Sequence, residues 1–141
     1  MPNLLRPLPA SSSRLGADFV DVGRFREVMK RHPRVVERVF TESERAYCQR
    51  KADPTLHFAA RFAVKEAVRK ALGRACAWHA VEVCKLETGA PSLAVDPELR
   101  TADGQYPVTA SVSITHDGGF AFAVVLFDLS EIGKTLGVAS F

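Results

Sequence analysis

The segment Arg61–Gly73, RFAVKEAVRKALG, leaves a chain like this little freedom. It lies in a helical pattern that runs from about Thr55 to Leu72. Asp53 can cap its start, Pro54 suits the first helical position, and Gly73 is a natural stop. At about 100° per residue, Leu56, Ala60, Ala63, Val64, Ala67 and Ala71 gather on one face. Arg61, Lys65 and Arg69 fall on the other side, interleaved with Phe58, Phe62 and Leu72. A helix that is apolar nearly all round is central and covered. Glu66 and Lys70, four residues apart, point the same way at the border of the apolar face. A carboxylate there needs a partner, a metal or a rim position, because burying it alone costs too much.

The remainder fits one soluble domain. At 141 residues the chain can bury a core without staples. Lys and Arg number 19 against 16 Asp and Glu, a mild excess concentrated between Arg24 and Lys51. Such a patch attracts phosphates or an acidic protein surface, and its bland counterpart is a solvated helix face. Cys48, Cys76 and Cys84 are odd in number and form no C-x-x-C pair, which points to reduced thiols and a cytoplasmic location. No apolar run approaches the roughly 18–20 residues of a membrane span. Residues 1–14, with three prolines and a serine run, read as a mobile N-terminal tail. Residues 15–129 form the domain and residues 130–141 a C-terminal tail.

Along the chain, Leu15–Val22 reads as a strand interrupted by Asp18. That aspartate either faces water from an edge strand or belongs to a metal or hydrogen-bond site. Helical spacing follows in 24–31, and again after Pro33 from Val35 to Phe40. Thr41 and Glu44 have capping-box spacing for a short helix through Arg50. After the central helix, Ala80–Leu86 alternates as a strand, Thr88–Pro91 turns, and Ser92–Val95 returns. Residues 96–107 read as an irregular connection. Val108–Thr115 alternates strictly, His116–Gly119 makes a turn, and Phe120–Phe127 is a continuous apolar run expected to be buried on both faces. The fold class is therefore α+β, a small antiparallel sheet wrapped around one long central helix.

Asp18, Glu66, Lys70, Lys65, Arg61, His116 and Asp117 are the polar residues with chemistry to offer. There is no P-loop, no G-x-G-x-x-G and no cluster of thiols and imidazoles for zinc. Two oxygen donors, Asp18 and Glu66, suit a hard cation such as Mg2+ that keeps waters and holds substrate phosphates. Basic residues on the same helix would complete a phosphate site, which favours phosphoryl-type transfer over acyl or hydride transfer.

Three stretches together are more specific. GADFVDVGRF (Gly16–Phe25) resembles G-x-D-[IL]-V-x-[IV]-x-R-[IF]. The span from Phe40 to Gly73 resembles F-[TS]-x-x-E…R-[FW]-A-x-K-E-A-x-x-K-A. SVSITHDGGFAFAVV (Ser111–Val125) resembles V-S-[IL]-[ST]-H-x-x-x-x-A-x-A. In this order they are the pattern of the bacterial holo-acyl-carrier-protein synthases, the short 4′-phosphopantetheinyl transferases. The resemblance implies transfer of 4′-phosphopantetheine from coenzyme A to a serine of an apo acyl carrier protein, releasing adenosine 3′,5′-bisphosphate. It also implies Mg2+ and a homotrimer with sites between subunits. Asp18 and Glu66 take the place of the family's metal carboxylates. Arg61, Lys65, Lys70, Gly73 and His116 take the coenzyme A positions, and Arg24 the carrier-docking position. Lys70 would neutralise charge on the phosphate, and Glu66 and Asp117 are both candidates to accept the serine proton.

Two departures stand out: Gly73-Arg74-Ala75 replaces the family's G-T-G, and Phe19 replaces Ile or Leu. Fatty acid and polyketide carriers both fit the expectation. The competing expectation, a coenzyme A or nucleotide-binding module without catalysis, is opposed by the intact Asp18, Glu66 and Lys70. A nucleic-acid binder lacks a recognition motif.

Overall fold

The computed structural model describes Leu5 and residues 13–130. The elements in chain order are β1 (Ser13–Asp21), α1 (Val22–Arg31), α2 (Val35–Val39), α3 (Glu42–Gln49), α4 (Pro54–Leu72), β2 (Val81–Lys85), β3 (Pro91–Val95), β4 (Tyr106–Asp117) and β5 (Phe120–Ser130). A single 3-10 turn, Trp78–Ala80, precedes β2. Ser13 and Arg14 thus belong to β1 and Ser130 to β5, which moves both expected domain limits outward. The rest of the two expected tails lies outside the described residues, Leu5 apart.

α4 organises both layers. Pro54 opens it, and Gly73 closes it in the left-handed region at φ 71°, where its N–H and that of Arg74 bond the carbonyls of Lys70 and Arg69. Asp53 holds the N-cap position without capping through its side chain; its carboxylate reaches Arg26 on α1 at 3.5 Å instead. On one side of α4, Ala63, Val64, Ala67 and Ala71 pack against Ala123, Val125 and Phe127 of β5. On the other, Phe58 and Ala59 meet Val22, Phe25, Val39 and Phe40 from the small helices. The central, covered helix expected from its all-round apolar character is what forms.

The main sheet has the order β1-β5-β4, antiparallel throughout, and β2 pairs with β3 in a separate hairpin. Gly16 lets β1 lie against α4. A Cβ there would collide with the Ala67 carbonyl oxygen and stand 2.8 Å from the Ala71 amide nitrogen. Strand alternation then turns Asp18 and Val20, like Gly16, towards the helix. Asp18 therefore does not face open water, although β1 is an edge strand.

Two expectations change at the β4–β5 hairpin. β4 continues through Asp117, so the turn is only Gly118-Gly119, both at positive φ (55° and 84°). His116 and Asp117 are therefore strand residues, and alternation sends them to opposite faces. Phe120–Phe127 is buried on one face only. Ala121, Ala123, Val125 and Phe127 are sealed, while Phe120, Phe122 and Leu126 are exposed, together with Phe19 and Leu15 of β1. The reason is architectural: α4 covers one side of the sheet, and nothing in the chain's described residues covers the other.

Candidate active site

Asp18, on the helix-facing side of β1, and Glu66, on α4, line one cleft of about 250 Å3 with Phe19, Arg24, Phe25, Val28, Phe62 and Asp21, whose carboxylate caps α1 by accepting from the Arg24 amide. Lys70, one turn after Glu66, donates to Asp18 Oδ1 at 2.8 Å and to the Ala17 carbonyl at 3.0 Å. Arg69 approaches Glu66 Oε1 at 3.8 Å. Strand and helix thus bring together residues about 50 positions apart in sequence. The described residues contain no group of three His, Cys, Asp or Glu placed to hold a metal. Two hard carboxylate oxygens beside open space fit a cation that takes its remaining ligands from water and phosphate, and they do not fit one caged by protein.

The second group lies elsewhere. Arg61 is buried, with its guanidinium 4.0 Å from the centre of the Tyr47 ring and its Nε without a partner. It lines a cleft of about 190 Å3 with Tyr47, His57, Lys85 and His116, over an apolar floor of Leu56, Val83 and Ile114. Lys51 and Lys85 also approach the Tyr47 ring, at 4.5 and 5.3 Å. Burial, and then the charges of Arg61, Lys51, His116 and Lys85, push the His57 imidazole below its ordinary value. Burial pushes the Tyr47 hydroxyl up, but Lys85 and Lys51 outweigh it, so the phenol sits below its ordinary value. Burial contributes to both shifts, and the cationic contributions at the two residues together come from Arg61, Lys51, Lys85 and His116, which make the cleft suited to an anion.

On α4 the two groups are divided by helical geometry. From Arg61 to Glu66 the helix turns by about 140° and advances about 7.5 Å; from Arg61 to Lys70 it turns by about 180°. Arg61 and His116 are brought together, as are Asp18, Glu66, Lys70 and Arg24, but one chain keeps the two sets apart. Asp117 joins neither. It lines a third cleft with Arg26, Asp53, His116 and Gly118.

Lys65 is a correction. Its ammonium donates to the carbonyls of Trp78 (2.9 Å) and Val81 (2.6 Å) and pairs with Glu44 Oε1 at 2.8 Å. All three N–H bonds are spent inside the fold, so none is left for coenzyme A. Desolvation lowers its pKa, against the pull of Glu44. Gly73 is accounted for by its helix cap. Tyr47, His57, Lys51 and Lys85 were not singled out from sequence. Tyr47 stands on α3, Lys51 in the bend that follows it, His57 on α4 and Lys85 on β2, and no periodicity joins positions spread so widely.

The chain belongs to the ACPS family of the 4′-phosphopantetheinyl transferase superfamily, whose model matches residues 14–125. The holo-[acyl-carrier-protein] synthase of Syntrophotalea carbinolica is 41% identical over 122 residues, covering 82% of this chain and 95% of that protein. Among solved structures, an ACPS-CoA complex from Chronobacterium ammoniagenes superposes with a TM-score of 0.74 at 28% identity, covering 85% of this chain and 99% of that one. The Helicobacter pylori holo-[acyl-carrier-protein] synthase in complex with coenzyme A gives 0.69 at 32% identity, covering 80% and 98%.

Proposed function

We propose that this chain is a holo-acyl-carrier-protein synthase whose active site is completed by a second copy of itself. The observation that carries the reading is the division of the site residues across α4. Asp18 and Glu66 line one side, with Lys70 bonded to Asp18, and the cationic cleft of Arg61 and His116 lies on the other. A homotrimer would cover the exposed Phe19, Phe120, Phe122 and Leu126 and join the cleft of one subunit to the carboxylates of the next.

In this reading the anionic end of coenzyme A enters the cleft of Arg61, His57, Lys85 and His116. Its diphosphate reaches Asp18 and Glu66, where Mg2+ would neutralise charge on the diphosphate. Lys70, already beside Asp18, is within reach of the same oxygens. The serine hydroxyl of the carrier attacks the β-phosphorus, the P–O bond to the α-phosphate breaks, and adenosine 3′,5′-bisphosphate departs with the bonding electrons. Such a transfer asks the protein mainly for positioning and charge neutralisation. Glu66 shares the cleft with Asp18 and Asp117 does not, so we assign the serine proton to Glu66.

Arg24 is exposed on the rim of the carboxylate cleft and also lines the adjoining cleft with Arg31 and His32. It is our docking residue for an acidic apo acyl carrier protein of fatty acid or polyketide synthesis. Three free thiols suit a reducing cytoplasm, and no helix among the described residues is long and apolar enough to cross a membrane.

Incubation with coenzyme A, Mg2+ and an apo carrier tests the activity. The carrier should gain the mass of one 4′-phosphopantetheine. It should not do so with Asp18→Ala or Glu66→Ala, or with wild type in excess chelator. A carrier that stays apo with wild type under these conditions overturns the assignment.

A further inference from the structure

Position 69 is a free position in the family pattern, yet in this chain its side chain is tightly held. The Arg69 guanidinium carbon lies 3.4 Å from the centre of the Trp78 ring. Its Nη2 donates to the Cys76 carbonyl at 2.7 Å, and its Nη1 stands 3.8 Å from Glu66 Oε1. Nε is buried without a partner, so the aromatic stack and the single carbonyl do the holding. Trp78 is itself fixed. Its carbonyl accepts from the buried Lys65, and its ring packs at 5.5 Å against Phe62, which lines the Asp18–Glu66 cleft.

We propose that Arg69 is a positioning residue for Glu66: Trp78 and the Cys76 carbonyl fix the guanidinium, and the guanidinium fixes the carboxylate beside Asp18. The inference rests on the reading of Asp18 and Glu66 as the metal-binding pair. Two effects of Arg69 on a bound cation oppose each other. Its charge repels the metal. Its grip removes rotamer freedom that a glutamate would otherwise lose when the metal binds. Partly exposed pairs at this spacing are weak as ion pairs, whereas groups that orient metal ligands commonly change metal affinity by about tenfold or more. At 3.8 Å the contact is an ion pair without a hydrogen bond, so the proposal is that the restraint on Glu66 outweighs the repulsion, and the sign of the change in metal affinity tests it.

The sign separates the two roles. Mn2+ serves as the probe, titrated calorimetrically into wild type and into Arg69→Gln, Arg69→Lys and Trp78→Leu, each with coenzyme A bound to supply the phosphate ligands, with thermal melts to establish folding. Positioning predicts that all three variants bind Mn2+ about tenfold more weakly. Their half-saturating Mg2+ in the transfer assay should rise in step, while KM for coenzyme A stays put. A purely electrostatic role predicts tighter Mn2+ binding by Arg69→Gln, and that result overturns the proposal. If Trp78→Leu unfolds, Arg69→Lys decides: it keeps the charge but loses the fork and the stack, so wild-type affinity there overturns the proposal. Wild type that binds Mn2+ alongside unaffected variants overturns this inference alone. Wild type that binds none overturns the metal reading and this inference with it.

Discussion

Glu44 and Lys65 pair at 2.8 Å with side chains 0% and 2% exposed, and together they bind four elements into one unit. Glu44 closes its capping box on the Thr41 amide (3.0 Å) and accepts from Val83 N at 3.1 Å, while Lys65 bonds the carbonyls of Trp78 and Val81. Removing one partner strands a buried charge. Lys65→Met should therefore cost about 3–5 kcal/mol of folding stability, read by urea denaturation. KM for coenzyme A in the folded fraction should be unchanged. A stable variant with a raised KM would return Lys65 to the coenzyme A site.

Cys48 is fully buried, and desolvation pushes its thiol up to about 11 from an ordinary 9.0, with Arg61 pulling it down and Glu44 up. The folded-state value is raised, so the contribution to stability is complete below about pH 9. It is lost as pH rises from 9 through 11, because the unfolded thiol ionises first and the buried one is only half ionised at pH 11. By pH 11 the loss should amount to about 2 kcal/mol. Stability measured at pH 8 and pH 11 should fall by about that much more for wild type than for Cys48→Ala. Equal falls would show that the thiol is not the source.

Gly16 has no room for a side chain against Ala67 and Ala71. Gly16→Ala must push β1 off α4, which carries Asp18 away from Lys70 and Glu66. Overpacking of this kind costs about 1–3 kcal/mol. Transfer activity should fall by more than stability implies, because the carboxylate pair is displaced. Activity at wild-type level in a folded Gly16→Ala protein would contradict the close packing.

Arg24→Glu should raise KM for the carrier and leave KM for coenzyme A near its original value, because charge complementarity steers encounter and orientation. Raising ionic strength from 0.1 to 1 M shrinks the screening length from about 10 Å to about 3 Å. It should therefore weaken carrier use by wild type more than by the variant. An unchanged carrier KM would remove Arg24 from the docking surface.

What could be read from the sequence was local. Pro54, Gly73 and the Thr41–Glu44 box mark helix ends through neighbours a few residues away, and each lies where expected. Glu44's larger role joins it to Val83, 39 residues on, and no periodicity reports such a contact. Lys65 takes a coenzyme A position through the family resemblance and as a basic residue on the central helix, and only the packing of Trp78 and β2 over it reveals a buried lysine. The apolar run in β5 reads as sealed on both faces because composition reports how apolar a strand is and not what covers it. Asp18 kept two readings until Gly16 fixed which face of β1 meets α4.

The claim that two chains build each site is tested most directly by mixing two inactive variants, Asp18→Ala and Arg61→Gln, unfolded and refolded together. In a ring of three, random mixing restores an intact carboxylate group on one subunit facing an intact cleft on the next at about one site in four. Transfer to the apo carrier should recover to about a quarter of the wild-type rate, while each variant refolded alone stays inactive. A mixture as inactive as its components, from refolded trimers, would contradict the shared site.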